Sequence, residues 1–150
     1  MSTFFIDTSA LVRRYLPEIG AAWARRWIAP SAGNVIVISD LTPVEMFSAL
    51  ARRQREKSIS LSDVAAAQKD VLVHVEREYL SVAVESDVLM QARLLVGKYV
   101  LRTLDAIQLS CALKATATLG ESMTFVSADR NLLVAASAEG FGTDDPKLHA

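Results

Sequence analysis

The chain has 150 residues, of which 51% are hydrophobic and 22% are charged, and its formal net charge is −1. This length and apolar fraction exclude a disordered chain and suffice for one domain with a buried core, which we expect to span residues 1–150. One cysteine, Cys111, excludes an internal disulfide and a cysteine-based zinc site, and two histidines make no histidine-rich cluster, so any metal site must use oxygen ligands.

The hydrophobic pattern alternates between short apolar runs and longer stretches of helical periodicity. Strands are predicted at residues 3–6, 35–38, 80–84 and 124–127, and an edge strand is predicted to open near 140–142. Helices are predicted at residues 9–16, 19–29, 42–57, 62–79, 86–99, 104–119 and 130–138. Because short strands separated by helices form parallel sheets, this order predicts a three-layer α/β/α fold with a central parallel sheet of about five strands.

Two further properties concern location and charge. No segment approaches the roughly 18 apolar residues of a membrane span, and the first residues lack the pattern of a secretory signal, so we expect a cytoplasmic protein.

The charges are unevenly distributed along the chain. Residues 1–60 contain eight Lys or Arg against five Asp or Glu, and residues 61–150 contain eight Lys or Arg against twelve Asp or Glu. Three arginine doublets, Arg13-Arg14, Arg25-Arg26 and Arg52-Arg53, form either a local basic surface or solvated helix faces.

Four acidic residues lie where ligands bind in a parallel sheet, which is the crevice outside the carboxyl ends of the strands. Asp7 and Asp129 follow predicted strands, and Glu45 and Asp105 lie in the first turns of predicted helices. Each also has a structural interpretation, because Asp7 and Asp129 could cap the helices that follow them. Glu45 fits a capping box with Thr42, and Asp105 complements a helix dipole. Taken singly, none of the four identifies a catalytic site.

Taken together, four carboxylates at one edge of a sheet repel each other unless positive charge lies among them. No lysine is near them in sequence, and Arg102 and Arg130 flank only two of the four. Mg²⁺ or Mn²⁺ would supply the missing charge and matches an all-oxygen ligand set. The chain lacks the glycine-rich loops that bind nucleotide phosphates, so the pattern favours metal-dependent hydrolysis of phosphodiesters, which is nuclease chemistry.

The segments around these acids, in this order, resemble a known family: the PIN domains of the VapC toxin type, the ribonuclease half of a bacterial toxin–antitoxin pair. The matching segments are Phe5-Ile-Asp7-Thr-Ser9, Thr42-Pro-Val-Glu45, Arg102-Thr-Leu-Asp105-Ala-Ile-Gln-Leu109 and Phe125-Val-Ser-Ala-Asp129-Arg. The resemblance covers nearly the whole chain. It implies a five-stranded parallel sheet between helices and one acidic pocket that holds one or two Mg²⁺ or Mn²⁺ ions.

The resemblance also implies roles for individual residues. Asp7 and Asp105 would bind the metal directly, Glu45 would bind it or hold the attacking water, and Asp129 would act through water. The residues expected to orient these carboxylates or share their work are Thr8, Ser9, Ser127 and Asn131. A histidine is common in the family where Gln108 stands. We expect no loss of activity from this departure, because the position is predicted to face along the helix.

The partners that the resemblance implies are an RNA substrate, a second copy of the chain in a homodimer, and a cognate antitoxin whose tail occludes the pocket. Phosphate groups are bound mainly by Arg and Lys, so Arg13, Arg14 and Arg102 are the candidate RNA contacts. We therefore expect a metal-dependent endoribonuclease that an antitoxin neutralises.

Two other functions compete with this one. A catalytically inactive PIN-like domain that binds RNA or protein is disfavoured by the presence of all four acids. A phosphoacceptor or phosphatase on a similar sheet is the weaker alternative. A receiver domain needs an acidic pair near the first strand and a late lysine, whereas Asp7 has no acidic neighbour and Arg130 follows the fourth strand. A haloacid-dehalogenase phosphatase needs an aspartate where Ser9 stands.

Overall fold

Short strands and helices alternate along the chain in the order that the hydrophobic pattern predicts. The computed structural model describes all 150 residues. The strands are β1 Thr3–Ile6, β2 Val35–Ser39, β3 Tyr79–Val82, β4 Thr124–Val126 and β5 Gly142–Asp144. The helices are α1 Thr8–Tyr15, α2 Ala21–Ile28, α3 Thr42–Arg55, α4 Leu61–Arg77, α5 Ser86–Lys98, α6 Thr103–Leu119 and α7 Arg130–Ala138, with short 3-10 helices at Pro30–Ala32 and Pro146–Leu148. None of these helices combines the length and apolar character needed to cross a lipid bilayer.

The five strands form one parallel sheet in the order β3-β2-β1-β4-β5. β1 is central, and Phe4 lies opposite Ile36 of β2 on one side and Thr124 of β4 on the other. The chain first builds the sheet outward from β1 through β2 and β3, and then crosses to the other side for β4 and β5. Parallel α/β sheets bind ligands where the strand order reverses, so the expected crevice lies beyond the carboxyl ends of β1 and β4.

Helices cover both faces of the sheet because side chains along each strand alternate between the faces. Phe5 and Phe125 pack against α5, α6 and α7, and their rings stack with centroids 5.3 Å apart. Ile6 and Val126 face the opposite side and pack against α1 to α4. Full burial of each such side chain contributes about 1.5–3 kcal/mol to stability. The predicted three-layer α/β/α fold with a five-stranded parallel sheet is confirmed.

The start of α3 differs from the predicted capping box. Thr42 is the first helical residue, and the residue before it, Leu41, makes no side-chain capping bond. Thr42 Oγ1 instead accepts a hydrogen bond from the backbone N–H of Ser39 at 3.3 Å, which ties the helix to the end of β2. The predicted capping box between Thr42 and Glu45 is therefore wrong. The carboxylate of Glu45 is left to contact residues outside its own helix.

Candidate active site

Asp7 ends the central strand with a buried carboxylate. The residue is 5% exposed, and its backbone N–H donates to the carbonyl oxygen of Val126 at 3.0 Å, so the sheet itself fixes its position. Although Asp7 stands at the N-cap of α1, its side chain makes no capping bond. Its Oδ2 accepts hydrogen bonds from Ser9 Oγ at 2.7 Å and Ser127 Oγ at 2.9 Å. Its Oδ1 accepts none, so one oxygen is held and the other is available to a ligand.

The two serines are themselves oriented by the loop that follows β4. The backbone N–H of Ala128 donates to Ser9 Oγ at 2.9 Å, and that of Asp129 donates to Ser127 Oγ at 3.0 Å. A hydroxyl has one proton to donate, and here the backbone groups occupy the acceptor side of both serines. Each serine proton therefore points towards the carboxylate of Asp7.

Glu45 repeats this arrangement from the first turn of α3. Its Oε1 accepts a hydrogen bond from Thr8 Oγ1 at 2.9 Å and a second from Gln108 Nε2, whereas its Oε2 accepts none. Gln108 is fully buried, and its own Oε1 has no hydrogen-bond partner. Gln108 thus reaches into the site, whereas the sequence led us to expect that it faces along its helix. A polar residue between the apolar Ile107 and Leu109 was the signal that could have identified it.

Asp105 and Asp129 are held differently, because the guanidinium of Arg102 lies between them. Arg102 Nε donates to Asp105 Oδ2 at 3.1 Å, and Arg102 Nη2 donates to Asp129 Oδ2 at 3.4 Å. The other oxygen of Asp129 caps α7 by accepting from the backbone N–H of Leu132 at 3.1 Å. The capping interpretation therefore applies to Asp129 and not to Asp7.

The charges of these residues act on one another. Burial raises the pKa of Asp7 to about 6; the bonds from its two serines oppose that rise, and the nearby charges of Glu45 and Asp105 add to it. Burial also raises the pKa of Asp105, against the opposing effect of Arg102 and with a further rise from the charge of Asp129. The acids at positions 7, 45, 105 and 129 therefore form one electrostatic group at the carboxyl edge of the sheet.

The chemistry of this donor set fits a hard divalent cation. Its oxygens are all carboxylates, which Mg²⁺ and Mn²⁺ prefer, and Asp7 Oδ1 and Glu45 Oε2 accept no hydrogen bond from the protein. In the arrangement described, no group of three or more His, Cys, Asp or Glu side chains lies close enough together to hold a metal ion. Asp105 and Asp129 each direct one oxygen to Arg102 instead.

The remaining residues singled out in the sequence divide into two groups. Thr8, Ser9 and Ser127 donate to the carboxylates, whereas Asn131 is exposed and forms no hydrogen bond with any of them.

Arg13 and Arg14 take part in contacts within the protein. Arg13 pairs with Glu18 at 3.6 Å and Arg14 with Glu78 at 2.7 Å, and their side chains are only 11% and 12% exposed. By contrast, the Arg102 side chain is 81% exposed. The RNA contacts of Arg13 and Arg14 stay a prediction, and this placement favours a structural role for both.

The comparison with protein families identifies the class to which this fold and site belong. The PIN domain model matches residues 4–137, and the chain belongs to the PIN domain family. PIN domains are generally nucleases. The resemblance noted from the sequence is therefore confirmed at the level of the family.

Solved structures with the same fold include a toxin and a toxin–antitoxin complex. VapC20 from Mycobacterium tuberculosis, described as a sarcin–ricin loop cleaving toxin, is 19% identical with a TM-score of 0.64, over 92% of this chain and 95% of that one. PAE2754 from Pyrobaculum aerophilum is 19% identical with a TM-score of 0.65, over 98% and 85%. A toxin–antitoxin complex from Klebsiella pneumoniae is 16% identical with a TM-score of 0.61, over 97% and 98%. No curated protein sequence matches the chain. At these identities the likeness establishes the fold.

The buried charge of Asp7 predicts that Asp7→Asn stabilises the metal-free protein at neutral pH. Burial raises the pKa of Asp7 from its ordinary 3.8, which applies in the unfolded chain, to about 6 in the folded protein, so stability is lost as pH rises through this interval. Asparagine keeps an acceptor oxygen for both serines and removes the charge. Chemical denaturation with a chelator present should show a gain of up to about 3 kcal/mol near pH 7.5 and almost none near pH 4. An equal effect at both pH values would contradict this origin.

Proposed function

We propose that this protein is a metal-dependent endoribonuclease of the VapC type, which hydrolyses phosphodiester bonds in RNA with Mg²⁺ or Mn²⁺ as cofactor. Membership of the PIN family and the toxins among its structural neighbours support the proposal. The observation that carries it is the paired arrangement of Asp7 and Glu45. Each carboxylate is fixed through one oxygen by two donors and presents the other oxygen without a hydrogen bond.

In this proposal four carboxylates hold the metal: Asp7, Glu45, Asp105 and Asp129. A bound divalent ion lowers the pKa of a water molecule and stabilises charge on the leaving oxygen. The protein's own contribution is orientation, since neutral hydroxyl and amide donors fix the carboxylates of Asp7 and Glu45 without neutralising them. Arg102, exposed at the edge of the group, is the arginine best placed to contact an RNA phosphate.

Cleavage of RNA is the direct test of the proposal. Asp7→Asn and Glu45→Gln should each reduce Mn²⁺-dependent cleavage of a synthetic RNA hairpin and of total cellular RNA by about 100-fold or more, because each removes a charged ligand. Asp40→Asn is the matched control, since Asp40 follows β2 at the same edge, is exposed and forms no ion pair. Its cleavage rate should equal that of the wild type.

Each alternative function has its own outcome in this experiment. A wild type that binds Mn²⁺ and leaves every RNA intact would establish the inactive PIN-like domain instead. Release of phosphate from a small monoester, retained in Glu45→Gln, would revive the phosphatase. Cleavage that persists in the presence of a chelator would overturn the metal-dependent mechanism.

Gln108 predicts a second, more specific effect on the site. Gln108→Leu removes one of two donors to Glu45 Oε1, and it also removes a buried oxygen without a partner. We expect Mn²⁺ affinity and cleavage to fall by about 10- to 100-fold while the melting temperature is unchanged or higher.

The control for Gln108→Leu is Ser110→Ala on the same helix. Ser110 is also buried, but it donates to the backbone carbonyl of Val88 at 2.7 Å, away from the carboxylates. Ser110→Ala should lower the melting temperature and leave Mn²⁺ affinity as in the wild type. Equal Mn²⁺ affinity in Gln108→Leu and the wild type would show that Gln108 does not position Glu45.

The proposal extends to partners, location and domain organisation. Toxin–antitoxin complexes from Klebsiella pneumoniae and Mycobacterium tuberculosis share the fold, which supports a cognate antitoxin as the partner that neutralises this chain. A nuclease that acts on cellular RNA would work in the cytoplasm, the location we propose. Residues beyond the family match also add β5, which pairs with β4, and this supports a single PIN domain over residues 1–150.

A homodimer is the proposed assembly, and α5 offers the surface that supports it. This helix leaves several apolar side chains exposed, with Leu94 the most exposed at 68%; the others are Leu89, Met90 and Val96. If this surface lies in the dimer, Leu94→Glu should give a monomer by sedimentation, because a buried unpaired carboxylate is costly. Leu72→Glu, at an exposed apolar position on α4, should leave the dimer intact. A wild type that sediments as a monomer would overturn the proposal.

A further inference from the structure

Arg102 occupies the position between two of the carboxylates that the proposed function assigns to the metal. Its Nε lies 3.1 Å from Asp105 Oδ2 and its Nη2 lies 3.4 Å from Asp129 Oδ2. Both bonded oxygens belong to half-buried carboxylates, whereas the arginine side chain itself is largely in solvent. The guanidinium therefore contacts the acidic site from the side of the site that faces solvent.

This contact divides the four carboxylates into two pairs with different partners. The carboxylates of Asp7 and Glu45 are fixed by neutral donors, so their charges remain uncompensated within the protein. Asp105 and Asp129 instead direct an oxygen at Arg102. A divalent ion that took either oxygen as a ligand would bring two cationic groups to the same atom, and their repulsion would favour the loss of one of them.

We propose that Arg102 and the divalent metal ion compete for Asp105 and Asp129, so that metal binding displaces the guanidinium. The inference rests on the proposed metal site. Arg102 is suited to exchange because ion pairs this exposed are weak and are screened by water and salt. When the guanidinium leaves, it gives up these two ion pairs and little other contact, because the side chain is already 81% exposed. Arg102 is thus a built-in counter-ion of the metal-free site and lowers the affinity of that site for metal.

The first test measures metal affinity directly. Arg102→Gln should bind Mn²⁺ about three- to tenfold more tightly than the wild type in isothermal titration calorimetry, because the competing ion pairs are lost. Arg130→Gln is the matched control, since it removes the same charge next to Asp129 from an exposed residue that forms no ion pair. Its affinity should change by less than about twofold.

The second test follows the guanidinium itself. In ¹⁵N-labelled protein, the Nε–Hε resonance of Arg102 should shift towards the position of a solvated arginine as Mg²⁺ is added. In Asp105→Asn, the contact at Nε is weakened from the start, so the resonance should begin near that position and move little. A wild-type resonance that stays fixed while Mg²⁺ binds would show that the guanidinium is not displaced.

The outcomes separate this inference from the proposed function. If neither the wild type nor Arg102→Gln binds Mn²⁺, both the metal site and the competition are overturned. If both proteins bind Mn²⁺ with equal affinity, the metal site stands and only the competition is overturned. If only Arg102→Gln binds Mn²⁺ measurably, the competition is supported in its strongest form.

Discussion

The carboxylate of Asp7 must be accommodated at the end of the central strand, where burial favours its neutral form. The two serine hydroxyls offset only part of this cost, since the pKa of Asp7 still lies at about 6. Hydrogen bonds from neutral donors stabilise a carboxylate without cancelling its charge, and the charges of Glu45 and Asp105 add to the strain. The folded protein therefore carries a local excess of negative charge that a cation bound beside Asp7 would relieve.

The register of the sheet makes this arrangement possible. Ile6 of β1 lies opposite Val126 of β4, so the residues that follow each strand, Asp7 and Ser127, emerge side by side. Their hydrogen bond joins residues 120 positions apart in the chain. The loop after Ser127 then returns a backbone N–H to Ser9, which ties the start of α1 to the end of β4. Parallel pairing at the point where the strand order reverses thus assembles the donors around one carboxylate.

The sequence was sufficient to predict the layers, the parallel sheet and the edge at which the four acids gather. These features follow from local periodicity and from the rule that parallel strands end at one edge. The partners of individual side chains could not be predicted, because they depend on tertiary packing. Arg14 is paired with Glu78, which lies 64 residues away, and nothing local distinguishes this arginine from a solvated one. Gln108 stands out as a polar residue in a stretch of α6 that is buried from Ala106 to Ala112, but nothing local shows that its partner is Glu45.

The four carboxylates are held in two physically different ways, by neutral donors at Asp7 and Glu45 and by a guanidinium at Asp105 and Asp129. Neutral donors fix Asp7 and Glu45 without cancelling their charge, and beside the buried Asp7 a cationic side chain would itself require desolvation. A guanidinium holds the outer pair, Asp105 and Asp129, where solvent weakens the bond enough for exchange. The fold alone orients Asp7 and Glu45, whereas Asp105 is held by Arg102, and Asp129 is held by Arg102 and by the backbone N–H of Leu132. A site built this way can stay folded without a metal ion, because Arg102 offsets the charges of Asp105 and Asp129 and leaves fewer uncompensated charges around Asp7.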